Sequence, residues 1–434
     1  MTRLSSFVRA LVLVILAGCG DGDRAGASSA SAQPSTSVVV PAAPVPSASA
    51  SAAPASAPGV DPWLDRALRA ADPRWEAWLA DAEALRLQIL VTVVDGSGTW
   101  QTHELRADAE YFYPASAIKT FLAVASLRVL SERQGGDIPL GSRIVRCRDD
   151  KPGCEPPKED EAKDQDPEDE KKKHEKLYVG EEVMKMLSYS DNDSYNRLYD
   201  IVGHQELNDE VAEMGFPGVR FHHRMSAPAD KSRTTLRVVV RPPGKPELTF
   251  PKRTSTFDPA PTPVGKLDVG TSYRDEKRGT VEEPLSFAKK NYVSLRDLQR
   301  INVALLFPDR KDAAPLGLSE AQREHILKAM TTKLQSKKHA AEHSPLSPGV
   351  VDVTGEDRIR YVGKSGRAYG FHLDNAFIED KKTGRAFFVT ATVYSNPDGV
   401  MNDDDYGYDE TTRPLLASLG AALAQAVFEK PKAD

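Results

Sequence analysis

Three short motifs follow one another along the chain: Ser116-Ala117-Ile118-Lys119, then Ser190-Asp191-Asn192, then Lys364-Ser365-Gly366. A serine with a lysine three residues on pairs a nucleophile with its base. Ser-Asp-Asn offers a proton relay and a substrate hook, and a lysine on a strand offers a cation that docks a carboxylate. Together they make an acyl-transfer set. No single string is specific, because Ser286 and Lys289 form a second Ser-x-x-Lys and Lys382-Thr383-Gly384 is a second lysine triplet. Ser-Asp-Asn occurs once, and only the Ser116 copy lies before it with helix-forming sequence directly behind the serine.

The elements that must carry these residues are legible from periodicity. Ile118, Phe121, Leu122, Ala125 and Val129 recur at helical spacing, which puts Ser116 at a helix N-terminus with Lys119 on the same face. The positive end of that helix and partial burial both favour a neutral, basic Lys119. Val183, Met184 and Leu187 before the Ser190 motif, and Tyr195, Leu198, Tyr199 and Val202 behind it, set that motif between two helices, the second ending near Gly203. Arg358 to Val362 reads as an apolar strand leading to Lys364, whereas Lys382-Thr383-Gly384 reads as the polar turn of a hairpin between Phe377-Ile378 and Ala386 to Tyr394. Asp72-Pro73 starts a helix carrying Trp75, Trp78, Leu79 and Ala82, and Leu87 to Val94 with Thr99 to Leu105 forms a hairpin. Pro414 to Phe428 is a final amphipathic helix, and Ser294 to Leu306 is another helix. Terminal helices flanking an antiparallel sheet, with a helical block between strands, give an α+β fold.

The ends and composition set the surroundings. Arg3 and Arg9 flank the start, Leu11 to Leu16 is apolar, and Leu16-Ala17-Gly18-Cys19 follows. This stretch resembles a bacterial lipoprotein signal, 1–19, with Cys19 as the lipidated residue; the run is too short for a permanent span. Residues 20–60 read as a disordered tether, whose Ala-, Ser- and Pro-rich part from about Ala25 to Val60 reaches about 110 Å at most. The remainder, 61–434, reads as one catalytic domain with insertions near 149–176 and 226–290, the second holding a short strand at Leu236 to Val240. Cys147 and Cys154 are close enough to pair in an oxidising compartment. A formal charge of −6 with no basic stripe argues against nucleic acid. The expected location is the periplasmic face of the outer membrane or the cell surface, with the lipid as the one membrane contact and the protein a monomer.

At the level of Tyr113-Pro114-Ala115-Ser116-Ala117-Ile118-Lys119 and the two later motifs, the chain resembles the class A serine β-lactamase and penicillin-binding transpeptidase superfamily from about Ala71 to Phe428. The resemblance implies the β-lactamase/transpeptidase-like fold and assigns roles. Ser116 is the acylating nucleophile, Lys119 takes its proton, and Ser190 passes a proton to the leaving nitrogen. Asn192 hydrogen-bonds a substrate amide; Lys364, Ser365 and Gly366 make the carboxylate-docking strand. The N–H groups of Ser116 and Arg367 form the oxyanion hole. No cofactor is implied.

One departure bears on turnover. Class A enzymes carry a glutamate in a loop after the second motif, where it activates the water that releases the acyl group. Here that loop begins His222-His223-Arg224-Met225-Ser226-Ala227-Pro228, without a carboxylate, and Glu283 in Glu282-Glu283-Pro284 is the displaced candidate for the deacylation base. His222 and His223 lack a third ligand at metal spacing and read as a solvated or strand-end pair. Asp403-Asp404-Asp405 reads as a charged turn, so no metal site is expected. Three functions stay open. They are a β-lactamase acting on β-lactam-like amides, a DD-carboxypeptidase or amidase acting on acyl-D-Ala-type peptides with slow β-lactam deacylation, and a non-catalytic cell-wall-binding lipoprotein.

Overall fold

The β-branched runs form the centre of the fold. In the computed structural model, which describes residues 59–94, 99–147, 176–226, 231–332, 334 and 342–429, Gln88–Val94 pairs antiparallel with Trp100–Leu105 and, on its other side, with Ala386–Tyr394. Ala386–Tyr394 pairs with Phe371–Asp380, whose far edge carries two short strands end to end, Ile359–Gly363 and Gly366–Ala368. All the described residues belong to the second of two units of the chain, Ala55–Asp434. The signal at 1–19, the tether up to residue 58 and most of the first insertion lie outside the described residues.

One face of the sheet is covered by the helices Pro62–Ala71, Trp75–Ala80 and Arg413–Phe428, which enclose a core of Leu64, Leu68, Trp75, Val389, Leu415 and Leu419. The Trp75 indole also satisfies its N–H, donating to Ser418 Oγ at 3.0 Å. Pro62–Ala71 was not foreseen, although Asp61-Pro62 repeats the signal read at Asp72-Pro73: Asp61 Oδ1 accepts from the N–H of Trp63 and Leu64 at the helix start. The other face meets the helix Leu295–Leu306 and the helical block. With both faces covered, Phe371–Asp380 is buried almost throughout, and its polar Asn375 is satisfied internally by Leu298 O and Thr390 Oγ1.

The helical block has Lys119–Gln134 at its centre, packed against Val179–Ser188, Asn192–Val202 and His204–Glu213. Residues 226–290, read as a low-complexity insertion, are folded over the described part. Arg237–Arg241 joins a sheet with Leu177–Tyr178, Arg143–Cys147 and Leu248–Phe250, and Ser272–Asp275 pairs with Gly279–Val281. The short strand expected at Leu236 to Val240 is present as Arg237–Arg241, with Val238 and Val240 buried beside Phe250 and Val239 buried against Val145; the remaining strands of this region are too short to carry a legible period. Cys147 is disulfide-bonded; its expected partner Cys154 lies outside the described residues.

Candidate active site

Two backbone turns present the motif residues. Ala115 has φ 44° and Ser190 has φ 58°, both in the left-handed region that costs non-glycine residues of order 1–3 kcal/mol and is tolerated where surrounding structure holds it. The first turn feeds a short 3-10 stretch, Ala115–Ile118, into the helix Lys119–Gln134, so the half-buried Ser116 stands one turn before Lys119. The second precedes the helix Asn192–Val202, where Asp191 is the N-cap and accepts from Ser194 N at 2.5 Å. Asp191 of the motif is therefore a capping residue, and its neighbours point to the chemistry.

Lys119 is fully buried, and its Nζ donates to Ser190 O at 2.6 Å, to Asn192 Oδ1 at 2.6 Å and to Ser190 Oγ at 3.4 Å. Lys364, 2% exposed, donates to the same Ser190 Oγ at 3.1 Å and to Ser365 O at 3.0 Å. The Ser190 hydroxyl thus lies between two amines. Burial, and then the charge of Lys364, hold the Lys119 amine well below the ordinary lysine range. Burial brings Lys364 down to about 8, with buried Asp374 opposing that shift. Among the described residues the Ser116 hydroxyl makes no hydrogen bond, and it lines an open cleft of about 450 Å³ together with Asn192. Lys119 reaches the Ser190 motif instead of Ser116 in this resting arrangement.

The third motif docks by close approach. Gly366 lies so near the Ser116 turn that a Cβ there would stand 3.0 Å from both Ser116 N and Ala117 N and would overlap Pro114 O. The strand Gly366–Ala368 is thereby held alongside the backbone of the nucleophile. Arg367 is exposed on the cleft wall with its guanidinium 5.3 Å from the Tyr408 ring centre.

Several expectations are corrected. Ser365 is buried, its hydroxyl donates to His343 O at 2.8 Å, and like Lys364 it is not among the residues that line the cleft. Glu283 is exposed, with its carboxylate 3.5 Å from the Tyr273 hydroxyl, and it is outside the cleft lining; it follows the strand Gly279–Val281, which pairs with Ser272–Asp275. His222 is buried and not solvated; among the described residues both its ring nitrogens lack hydrogen-bond partners, and burial lowers it to about 4, so it is held neutral. Among the described residues no group of three or more His, Cys, Asp or Glu side chains could hold a metal.

Both decoy motifs lie elsewhere. Lys289 pairs with Asp258 at 2.5 Å on the surface. Lys382-Thr383-Gly384 is a hairpin turn closed on Asp380, which accepts from Lys382 N and Thr383 Oγ1. What motif reading missed is the far wall: Met225 and Ser226 on one side, and Asn402, Asp404, Tyr406 and Tyr408 from the segment before the last helix. Asn192 Nδ2 donates to Ser226 Oγ at 2.8 Å, which ties the two sides. Tyr-Gly-Tyr at 406–408 was the signal available, and its position far along the chain gave it no apparent link to Ser116.

Comparisons with known proteins accord with this arrangement. The model of the beta-lactamase enzyme family matches residues 76–427. Among solved structures, the chain is similar to a beta-lactamase from Sphaerobacter thermophilus (19% identity, 84% of this chain and 96% of that one, TM-score 0.46). It is also similar to one from Burkholderia vietnamiensis (14%, 83% and 95%, TM-score 0.47) and to the class A beta-lactamase from Mycobacterium abscessus (16%, 81% and 98%, TM-score 0.45). No curated protein sequence is matched. A family match over most of the chain, the α+β architecture and the joined motifs lead to one assignment: the chain belongs to the beta-lactamase enzyme family.

Proposed function

We propose that the protein is a serine hydrolase of the class A β-lactamase type that forms an acyl-enzyme at Ser116 on β-lactam-like amides and hydrolyses it. The observation that carries this reading is the Ser190 hydroxyl held between the Lys119 and Lys364 amines, beside an uncommitted Ser116 in the cleft. In the proposed step, Ser116 Oγ attacks the amide carbonyl and its proton passes to neutral Lys119. Lys119 returns a proton to Ser190 as Ser190 gives its own to the leaving nitrogen, and the C–N bond breaks. Lys364 supplies positive potential to the substrate carboxylate, and the N–H groups of Ser116 and Arg367 receive the developing oxyanion. The setting proposed for this chemistry is a monomer anchored through Cys19 outside the inner membrane.

A second reading, a penicillin-binding DD-carboxypeptidase with slow β-lactam release, is favoured by the cleft's carboxylates: among the described residues only Asp404 lines it, and Glu283 does not reach it. Incubating the full-length protein and Ser116→Ala with a fluorescent penicillin and a chromogenic cephalosporin separates the readings. Turnover that disappears in Ser116→Ala supports the β-lactamase. Stable labelling without turnover supports the peptidase. Absence of both would refute acylation at Ser116 and leave the wall-binding lipoprotein.

A further inference from the structure

The cleft beside Ser116 has a chemical polarity that the acylation machinery does not use. Ser116 and Asn192 line it, whereas Ser190 and Lys364, which mark the leaving-group end, do not. It is therefore the space for the acyl half of a substrate. Its walls are rich in tyrosine: Tyr113 and Tyr369 meet edge to face at 5.2 Å, and Tyr406 and Tyr408 lie opposite with centroids 5.6 Å apart. Two charged side chains line it among the described residues, Arg367 and Asp404. Arg367 is laid over the Tyr408 ring. Asp404 is exposed and makes no ion pair or hydrogen bond among the described residues.

The segment presenting Asp404 is tied down at several points. Val400–Met401 pairs in parallel with Ser272–Asp275. Asn402 N donates to the Tyr406 hydroxyl at 2.8 Å, Gly370 N donates to the Tyr408 hydroxyl at 2.9 Å, and Thr412 Oγ1 is 2.8 Å from His372 Nδ1. Tyr406 is 5% exposed. Asp404 itself has φ 66°, a conformation that aspartate adopts more readily than most residues and that turns the chain at this point. The Asp404 carboxylate, set on such a support, offers an ammonium an opposite charge; the half-buried rings of Tyr369 and Tyr408 already carry Lys290 and Arg367, and Tyr113 and Tyr406 are buried.

We propose that Asp404 selects substrates carrying a cationic amine on the acyl side chain. The inference rests on acylation at Ser116 and names the substrate class that this site prefers. An aminoacyl β-lactam and an acyl peptide bearing a free side-chain amine share the chemistry.

Three penicillins that differ only in the α-substituent of the benzyl side chain test it: ammonium, hydrogen and carboxylate. Second-order acylation rates are measured for the full-length protein, for Asp404→Asn and for Asp404→Lys. The ammonium compound should be preferred over the hydrogen compound by about two- to five-fold, the range for a solvent-accessible ion pair, and the preference should shrink in 0.5 M salt, a high ionic strength chosen for about 4 Å screening. Asp404→Asn should bring the ratio towards one, and Asp404→Lys should move the preference to the carboxylate compound. An ammonium-to-hydrogen ratio that is the same in all three proteins overturns the proposal while leaving acylation intact. Loss of hydrolysis with retained acylation for every compound in Asp404→Asn also overturns it, and makes Asp404 a water-activating base. Separate peptide arms, with a free or an acetylated side-chain amine, distinguish the two sources of the ammonium. If Ser116 is acylated by none of these compounds, the fault lies in the function proposed above and not in the role of Asp404.

Discussion

Two buried amines share one serine hydroxyl, and the proposed mechanism gives them opposite protonation states. In it Lys119 is neutral to accept the Ser116 proton, and its amine is held well below the usual range by burial and by Lys364. In it Lys364 is charged to attract a carboxylate, and burial brings it down to about 8. The acylation rate should therefore rise with pH as Lys119 loses its proton and fall as Lys364 loses its own, giving a descending limb near pH 8. An arginine does not deprotonate in this range, so Lys364→Arg should abolish that limb, read from acylation rate against pH; an unmoved limb would assign it to another group. The opposing protonation needs could be anticipated from Ser-x-x-Lys and Lys-Ser-Gly. The sharing of Ser190 could not, because it depends on two side chains converging from sequence positions far apart.

Strands and turns impose tighter limits than the side chains they carry. Gly366–Ala368 lies against the Ser116 turn at a distance that leaves no room for a Cβ at Gly366. In Gly366→Ala the strand must retreat from Ser116. Overpacking of this kind costs about 1–3 kcal/mol of stability, and displacing an oxyanion donor by about 1 Å costs on the order of a hundredfold in rate. Acylation kinetics should thus suffer much more than the melting temperature; a variant melting early but acylating normally would contradict this coupling. Short-range signals located these elements well. The helix behind Ser116 and the hairpin turn at Lys382 follow from helical spacing and turn chemistry, which act within a few residues. Between 226 and 290 the valine run is legible as the strand Arg237–Arg241, whereas strands as short as Leu248–Phe250 are not, because so few positions carry no period.

Across the whole fold, one wall of the cleft is held by a buried ion pair. Arg224 Nη2 donates to Asp200 Oδ1 at 2.6 Å and to Thr234 O at 2.8 Å, while its Nη1 donates to Asn196 O at 3.1 Å. This anchors the segment that brings Met225 and Ser226 to the cleft. Arg224→Ala leaves Asp200 buried with reduced compensation, and breaking such pairs costs about 3–5 kcal/mol. Urea unfolding should register that loss together with weaker acylation; a change below about 1 kcal/mol would make the pair incidental to the fold, as surface pairs are. The amino-acid order alone determined the helices and strands that carry the Ser116, Ser190 and Lys364 motifs and the α+β class, because these follow from spacing and local propensity. Tertiary structure alone decided that the Ser365 hydroxyl donates to His343 O, that Glu283 lies outside the Ser116 cleft and that Asp404 lines it. The physical reason is pairing between distant segments: Val400–Met401 reaches the site by joining Ser272–Asp275, and no local pattern in either segment encodes that partner.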